Sequence, residues 1–169
     1  SQDTDGDGLG DNKDAFPNDA DQQYLSIESA LSGLDGNNFE QCVREQTNGL
    51  ANAGKVYRLD CSNRNIESLE GIIAFPNLEE LYLRGKQFCG VDSLSGLINL
   101  RKLDLSYGQR CISDIGALSG LRKLETLWLN GNQLSSLSAL ANHPKLKSLE
   151  VGENKLKSLA SLASLDGLS

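Results

Sequence analysis

Oxygen ligands suited to a hard metal ion stand at the start of the sequence, in the stretch DTDGDGLGDNKD. Its carboxylates alternate with small residues, so a tight loop can direct them to one point. When the stretch is numbered as a calcium loop, the ligand positions fall on Asp3, Asp5, Asp7, the Leu9 carbonyl, Asp11 and Asp14, with Gly8 at the sharp turn. The segment is therefore a predicted Ca²⁺ site, and Asp19 and Asp21 are placed to complete a second ion.

The spacing resembles the thrombospondin type 3 repeat, D-x-D-x-D-G-x-x-D-x-x-D, at every fixed position. The trailing DAFPND also resembles tandem copies in bacterial surface and secreted proteins. The resemblance implies a segment over residues 1–22 that bound Ca²⁺ converts into a stiff spacer. From the residues alone, the alternative is an acidic disordered linker.

The formal net charge of −7 is concentrated at the same end of the chain. Residues 1–24 hold seven Asp and one Lys, whereas the remaining 16 acidic and 15 basic residues nearly cancel. No cluster of Lys and Arg is present to neutralise phosphates, so a nucleic-acid partner is not expected. No apolar run reaches the length of about 18 residues that a membrane helix needs, and we expect a monomer.

The rest of the sequence is repetitive, and the repeat must position any other site. Leu124 begins LETLWLNGNQLSSLSAL and Leu146 begins LKSLEVGENKLKSLASL, and related stretches begin at Val56, Leu78 and Leu100. These starts lie 22, 22, 24 and 22 residues apart, with two extra residues in SYGQRC. The L-x-L cores have the period of a strand, and Gly and Asn after them exclude a continuous helix. Stacked turns are predicted to share one leucine core.

This pattern resembles the 22-residue leucine-rich repeats of internalins over residues 53–169. The resemblance implies an α/β repeat fold, a leucine-rich repeat solenoid with a curved parallel β-sheet of five to six short strands. A helical cap over 23–54 would precede repeats over 55–169, and we expect the sequence to be part of a longer protein. The family's asparagine position falls on Asn132 and Asn154, and in the earlier turns on Arg64, Lys86 and Gly108.

Two short helices are predicted in the cap, from YLSIESALSGL and NNFEQCVREQTNGLAN, with Asn37 or Asn38 as the N-cap of the second. Caps of internalin-like repeats often carry a cysteine tied to the first coil. The resemblance therefore implies a Cys42–Cys61 disulfide, and the alternative is two buried thiols.

A second disulfide, Cys89–Cys111, is predicted because these residues are 22 apart, one repeat. Adjacent strands lie about 4.8 Å apart, which suits the Cα separation of about 4.4–6.8 Å in disulfides. The two-residue insertion is expected to displace Cys111 by a position or two. Two disulfides would place the protein in an oxidising compartment, outside the cell or on its surface.

Strand positions that flank the leucines are predicted to face outward on the concave surface. They carry Arg58, Asp60, Glu80, Tyr82, Arg84, Lys102, Asp104, Trp128, Asn130 and Glu150. Trp and Tyr are common binding hot spots, so this surface is predicted to recognise a protein or a glycan. The alternative is an ordinary solvated sheet face whose charges alternate between strands.

An enzyme is not expected, because no nucleophile, zinc or phosphate-binding motif appears. The single His143 lies in NHPK between two turns and is interpreted as a loop residue. Two functions remain: a calcium-binding extracellular recognition module, or a calcium-stiffened structural spacer without a ligand of its own.

Overall fold

The computed structural model describes residues 25–34, 38–50, 52–163, 165, 167 and 168. The predicted calcium ligands, Asp3 to Asp21, lie outside the described residues. Two helices come first, α1 (Ile27–Leu31) and α2 (Asn38–Gln46). Five strands follow: β1 (Arg58–Asp60), β2 (Glu80–Tyr82), β3 (Lys102–Asp104), β4 (Thr126–Trp128) and β5 (Ser148–Glu150).

The five strands form one parallel sheet in chain order, which confirms the predicted leucine-rich repeat solenoid. We call each repeat of the solenoid a coil and number the coils from the predicted starts. Each strand begins two residues after the predicted start of its coil. The central leucines are in register across the sheet: Leu59, Leu81, Leu103, Leu127 and Leu149. Because the register follows the repeat, every outward position of one strand lies beside the equivalent position of the next.

The core consists of columns of apolar side chains that run through the stacked coils. After each strand the chain turns back through a short 3-10 segment, and Ile72, Leu94, Leu118 and Leu140 form one fully buried column there. The strand leucines form another column, complete in the first four coils. Leu149 is only partly buried because β5 is the edge strand among the described residues.

The helical cap covers the opposite edge of the sheet. Phe39, Cys42 and Val43 turn one face of α2 into the core. The Gln46 side-chain amide donates to the main-chain oxygen of Asp60 and accepts from its N–H, both at 2.9 Å. This amide thereby satisfies the backbone of β1 as a neighbouring strand would. Both helices are shorter than predicted, and α2 begins at Asn38.

Both predicted cysteine pairs are joined in the structure. Cys42 of α2 and Cys61 after β1 are buried, with their Cα atoms 5.8 Å apart, and they fasten the cap to the first coil. Cys89 and Cys111 link the second and third coils at a Cα separation of 5.2 Å. Cys89 follows the core residue Phe88 whereas Cys111 precedes the core residue Ile112, so the insertion shifts their relative register by two positions.

The eighth residue of every coil adopts a left-handed backbone conformation. The residues and their φ values are Asn63 (59°), Gly85 (78°), Tyr107 (52°), Gly131 (67°) and Glu153 (52°). Glycine adopts such angles without a steric cost, whereas side chains with a Cβ do so rarely. The bend after each strand therefore favours glycine, and Tyr107 and Glu153 occupy it despite their bulk.

Lys86 occupies the asparagine position of the second coil and compensates for the side chain that Gly108 lacks at that position in the third coil. In the last two coils Asn132 and Asn154 donate to main-chain oxygens of their own coil and of the preceding coil, at 2.9–3.1 Å. The Lys86 ammonium is buried and donates to the Leu105 oxygen at 2.9 Å. It fills the space beside Gly108, where a Cβ would come within 2.7 Å of the ammonium nitrogen. A lysine and a glycine in adjacent coils thus substitute for the asparagine ladder.

Candidate functional site

The sheet presents the predicted site residues on its outward side, which we call the strand face. It comprises the outward residues of β1–β5 together with Arg84 and Asn130, which follow β2 and β4. The strand leucines of the first four coils are fully buried, whereas the residues on either side of them are exposed or half-buried. The alternation of leucine and polar residue therefore places all ten predicted residues on this one side of the sheet.

Two aromatic rings meet near the centre of the strand face. Tyr82 of β2 and Trp128 of β4 have ring centroids 6.1 Å apart with a 37° angle between their planes. Their strands are separated by β3, a distance of about 10 Å. The side chains therefore lean toward each other across the Asp104 position. Both rings are half-buried, so each presents part of its apolar surface to solvent.

Carboxylates on the same face fix the orientation of both rings. The Tyr82 hydroxyl donates to Glu80 at 3.0 Å, and the Trp128 indole N–H donates to Glu150 at 3.0 Å. The Asn130 amide also donates to Glu150, at 2.6 Å. The Arg58 guanidinium lies 4.4 Å from the Tyr82 ring centroid, a cation–π distance. The aromatic pair is therefore held in place by its own neighbours on the strand face.

Charges around Tyr82 are paired with one another. Glu80 forms ion pairs with Lys102 at 2.9 Å and with Arg58 at 2.8 Å. The hydrogen bonds from these two cations lower the pKa of Glu80 to about 2, and the bond from Lys102 has the largest effect. Glu80 in turn raises the pKa of Lys102. Burial, followed by Glu80, raises the pKa of Tyr82, so its hydroxyl stays a donor at neutral pH.

A second row of alternating charges lies immediately before the strands. Arg101 pairs with Glu79 at 3.5 Å and with Glu125 at 2.7 Å, and Lys147 approaches Glu125 at 3.8 Å. These residues did not enter the sequence-based prediction, although their 22- and 24-residue spacing and opposite signs were visible. Exposed pairs of this kind contribute little to stability. They do leave this row close to electrically neutral.

The inserted third coil adds two contacts that sequence reasoning missed. Tyr107 lies under the Arg84 guanidinium, whose carbon is 4.6 Å from the ring centroid. Arg110 spans an intervening coil to pair with Glu153 at 2.7 Å. The two extra residues of SYGQRC were the available signal, since they make this coil 24 residues long where its neighbours have 22.

His143 lies between coils as predicted, but its side chain is fully buried. It stands in the column that Leu97 and Leu121 occupy in earlier coils. Its ring nitrogens lie 3.2 Å from the Leu140 oxygen and 3.1 Å from the Leu118 oxygen. Burial lowers its pKa. The ring thus faces the main chain of the core, so the structural role is packing.

Comparison with known proteins supports the leucine-rich repeat fold. Residues 98–142 match the family described as Leucine Rich repeats (2 copies). A crystal structure of internalin C2 from Listeria monocytogenes superposes with a TM-score of 0.65 at 30% identity, covering 68% of this chain and 50% of that one. A second internalin of that organism, inlF, gives a TM-score of 0.69 at 28% identity, covering 78% and 41%.

A curated plant relative, the 187-kDa microtubule-associated protein AIR9 of Arabidopsis thaliana, is 38% identical over 86 residues, 50% of this chain and 5% of that protein. The chain thus has the fold of a leucine-rich repeat solenoid. More particularly, its solved structural neighbours include internalins, although it spans half or less of their chain length. Proteins built from such repeats are typically binding modules without catalytic activity.

Two further findings bear on the kind of site. Within the described ranges, no group of three or more His, Cys, Asp or Glu side chains is arranged to hold a metal ion. In the same part of the chain, no helix has both the length and the apolarity that crossing a membrane requires. The strand face, with its ordered aromatic pair, is the candidate functional site among the described residues.

Proposed function

We propose that this chain is a recognition module that binds a partner protein through its strand face, with Tyr82 and Trp128 at the centre of the contact. The observation that carries the proposal is the fixed aromatic pair, whose ring centroids lie 6.1 Å apart. The Tyr82 hydroxyl and the Trp128 indole N–H each donate a hydrogen bond to a carboxylate. Side chains that are already ordered lose less conformational entropy on binding. Tyr and Trp in such positions dominate many interfaces.

The surrounding charges support a contact centred on the rings. Arg58 and Lys102 are both engaged by Glu80, and Glu150 is engaged by Trp128 and Asn130. A partner that displaced these contacts would have to desolvate several charges. A partner that covers the exposed ring surface instead gains apolar burial and leaves the pairs intact. A protein loop or strand with an apolar side chain meets that requirement.

Truncating both rings is expected to abolish recognition. Short random peptides displayed on phage are selected on the immobilised chain, and the enriched peptides are then measured against Tyr82→Ala, Trp128→Ala and the double variant. We expect each single variant to lose about thirtyfold in affinity, because a hot-spot side chain contributes roughly 2 kcal/mol. The double variant should show no binding above background.

Ile98→Ala is the matched control for this experiment. Ile98 is 58% exposed but lies outside the strand face, so its truncation removes apolar surface without touching the aromatic pair. Its peptide affinity should equal that of the unmodified chain. Full retention of binding by the double variant would refute the proposal, and enrichment of glycans alone on a glycan array would favour a carbohydrate ligand. Failure to enrich any ligand would favour the spacer function.

We also propose that residues 1–22 bind Ca²⁺ and stiffen the approach to the repeats. The support is the sequence alone: alternating carboxylates at calcium-ligand positions with a glycine at the turn. Calorimetric titration of Ca²⁺ into the chelator-treated chain is expected to give a saturable heat with a dissociation constant of about 0.1–1 mM, as in extracellular modules. Asp7→Asn should reduce this heat, whereas Asp92→Asn in the repeats should not. Absence of heat would contradict the calcium proposal and leave the acidic-linker interpretation.

An extracellular or cell-surface setting, as part of a larger protein, completes the proposal. Its support is the pair of disulfides, because such bonds persist in oxidising compartments. Calcium at a concentration of about 0.1–1 mM, which the proposed site requires, is also typical of the extracellular medium. Labelling of free thiols on the protein as isolated from its own host should find none of the four cysteines reactive.

A further inference from the structure

Arg84 extends the strand face beyond the aromatic pair. It follows Tyr82 by two residues, so their Cα atoms are about 7 Å apart along the strand and both side chains point outward. Arg84 is exposed, and its guanidinium carbon lies 4.6 Å from the ring centroid of Tyr107. The stack covers one face of the planar guanidinium and leaves its N–H edge available to an acceptor.

Tyr107 provides a fixed support for this cation. It occupies the left-handed eighth position, where the coils on either side carry Gly85 and Gly131. The main-chain N–H of Tyr107 donates to the main-chain oxygen of Asn130 at 2.9 Å. Its ring lies so close to Gly131 that a Cβ there would come within 2.7 Å of it. An aromatic residue in this conformation is uncommon, and such strained positions concentrate at functional sites.

Arg84 differs from the other cations of the strand face in its partners. Arg58 and Lys102 each form an ion pair with Glu80. Within the part of the chain that the structure describes, no carboxylate lies within ion-pair distance of Arg84, and its contact is the Tyr107 ring. The strand face therefore presents one oriented guanidinium with unused donors beside an apolar aromatic surface.

We infer that Arg84 and Tyr107 form a subsite for an Asp or Glu side chain of the partner protein. The subsite lies about 7 Å from the group that covers Tyr82 and Trp128, which is the spacing of alternate residues in an extended peptide. A guanidinium binds a carboxylate through two parallel hydrogen bonds. The preferred ligand thus has an apolar or aromatic residue and an acidic residue two positions apart. This inference rests on the proposed function of the strand face.

Selection of phage-displayed random peptides tests the subsite when it is run in parallel on the unmodified chain and on Arg84→Gln. The unmodified chain should enrich peptides with an acidic residue two positions from an apolar one. Arg84→Gln should still enrich the apolar residue but lose the acidic preference. A peptide selected on the unmodified chain should bind Arg84→Gln about fivefold more weakly, and its affinity should become less sensitive to salt.

Two further variants separate the subsite from general effects. Tyr107→Gly places at this bend the residue that Gly85 and Gly131 already provide, so it should fold normally and still weaken the acidic peptide. Arg122→Gln is the matched control, since it removes an exposed arginine from the turn that precedes β4 and should leave peptide binding unchanged. The folded state of each variant is checked by thermal unfolding before binding is measured.

The outcomes for the subsite and for the proposed function are distinguishable. Enriched peptides that need Tyr82 and Trp128 but show no acidic preference, or an acidic preference unchanged in Arg84→Gln, would overturn the subsite and leave the proposed function intact. No enriched peptide on the unmodified chain would overturn both. Enrichment of acidic oligosaccharides without peptides would overturn the commitment to a protein ligand.

Discussion

Between pH 8 and pH 10.5 the titration of Lys86 is expected to raise the free energy of unfolding by about 3 kcal/mol, and replacing Lys86 with methionine is expected to remove this contribution. The Lys86 side chain is 1% exposed and makes one hydrogen bond, to the Leu105 oxygen. Burial lowers its pKa from 10.5 to about 8, although Asp104 acts in the opposite direction. The folded chain therefore releases this proton more readily than the unfolded chain does.

The sign of the effect follows from proton binding. Above pH 8 and below pH 10.5 the unfolded state holds a proton that the folded state has lost, so stability increases with pH. Below pH 8 both states are protonated, and the folded state bears the full cost of the buried ammonium. Lys86→Met removes that charge, while the Leu105 oxygen still accepts a hydrogen bond from the side-chain amide of Asn132 at 3.1 Å. The variant should be at least as stable as the native chain at pH 7.

Urea unfolding of both proteins at a series of pH values measures this difference. Lys123→Met serves as the control, because it makes the same substitution at an exposed lysine and leaves the buried Lys86 ammonium in place. Other groups titrate in the same range, so the diagnostic quantity is the difference between the native chain and each variant. A Lys86→Met protein that kept the native rise, or lost more than about 1 kcal/mol at pH 7, would contradict the assigned environment.

Removal of the disulfide between the cap and the first coil should cost about 3 kcal/mol. Cys42 and Cys61 enclose a separation of 19 residues, and Cys89 and Cys111 enclose 22. Closing loops of such similar length constrains the unfolded chain almost equally. Replacing either pair with alanine should therefore destabilise the protein by a similar amount, or roughly 6–12 °C in melting temperature.

The two double variants should differ in how they unfold. Without its disulfide the cap is fastened mainly by buried contacts of Phe39 and Val43 and by the Gln46 amide, so it should detach before the coils melt. Thermal unfolding followed by circular dichroism should show an early loss of helix, together with binding of a hydrophobic dye. Loss of the Cys89–Cys111 bond should leave a single transition. Identical single transitions in both variants would show that the cap does not depend on its disulfide.

Spacing in the sequence predicted the repetitive parts of the fold because a shared core requires an apolar residue at the same position in every coil. The five strand positions and the outward residues follow directly from that periodicity. Whereas the Cys42–Cys61 disulfide was implied by the family resemblance, the Cys89–Cys111 disulfide also follows from the periodicity, since residues about one repeat apart lie on adjacent coils. These features depend on position along the repeat and not on the identity of any neighbouring side chain.

Contacts between unlike residues in adjacent coils were not predictable in the same way. The environment of Lys86 depends on the absence of a side chain at Gly108, and that of Arg84 depends on the left-handed backbone of Tyr107. His143 was interpreted as a loop residue from its position in NHPK between two turns, yet it fills a leucine column. The function of Asp3 to Asp21 and the ligand of the strand face stay predictions.

Trp128 is the only tryptophan in the chain, so its indole N–H gives a single resolved NMR signal at the centre of the proposed contact. Titration of a selected peptide into the isotope-labelled chain is the most direct test of recognition by the strand face. We expect the indole signal and the backbone amides around Tyr82 and Trp128 to shift together and saturate at one peptide concentration. Shifts confined to the cap, the 3-10 segments or Ile98, with an unmoved indole signal, would contradict it.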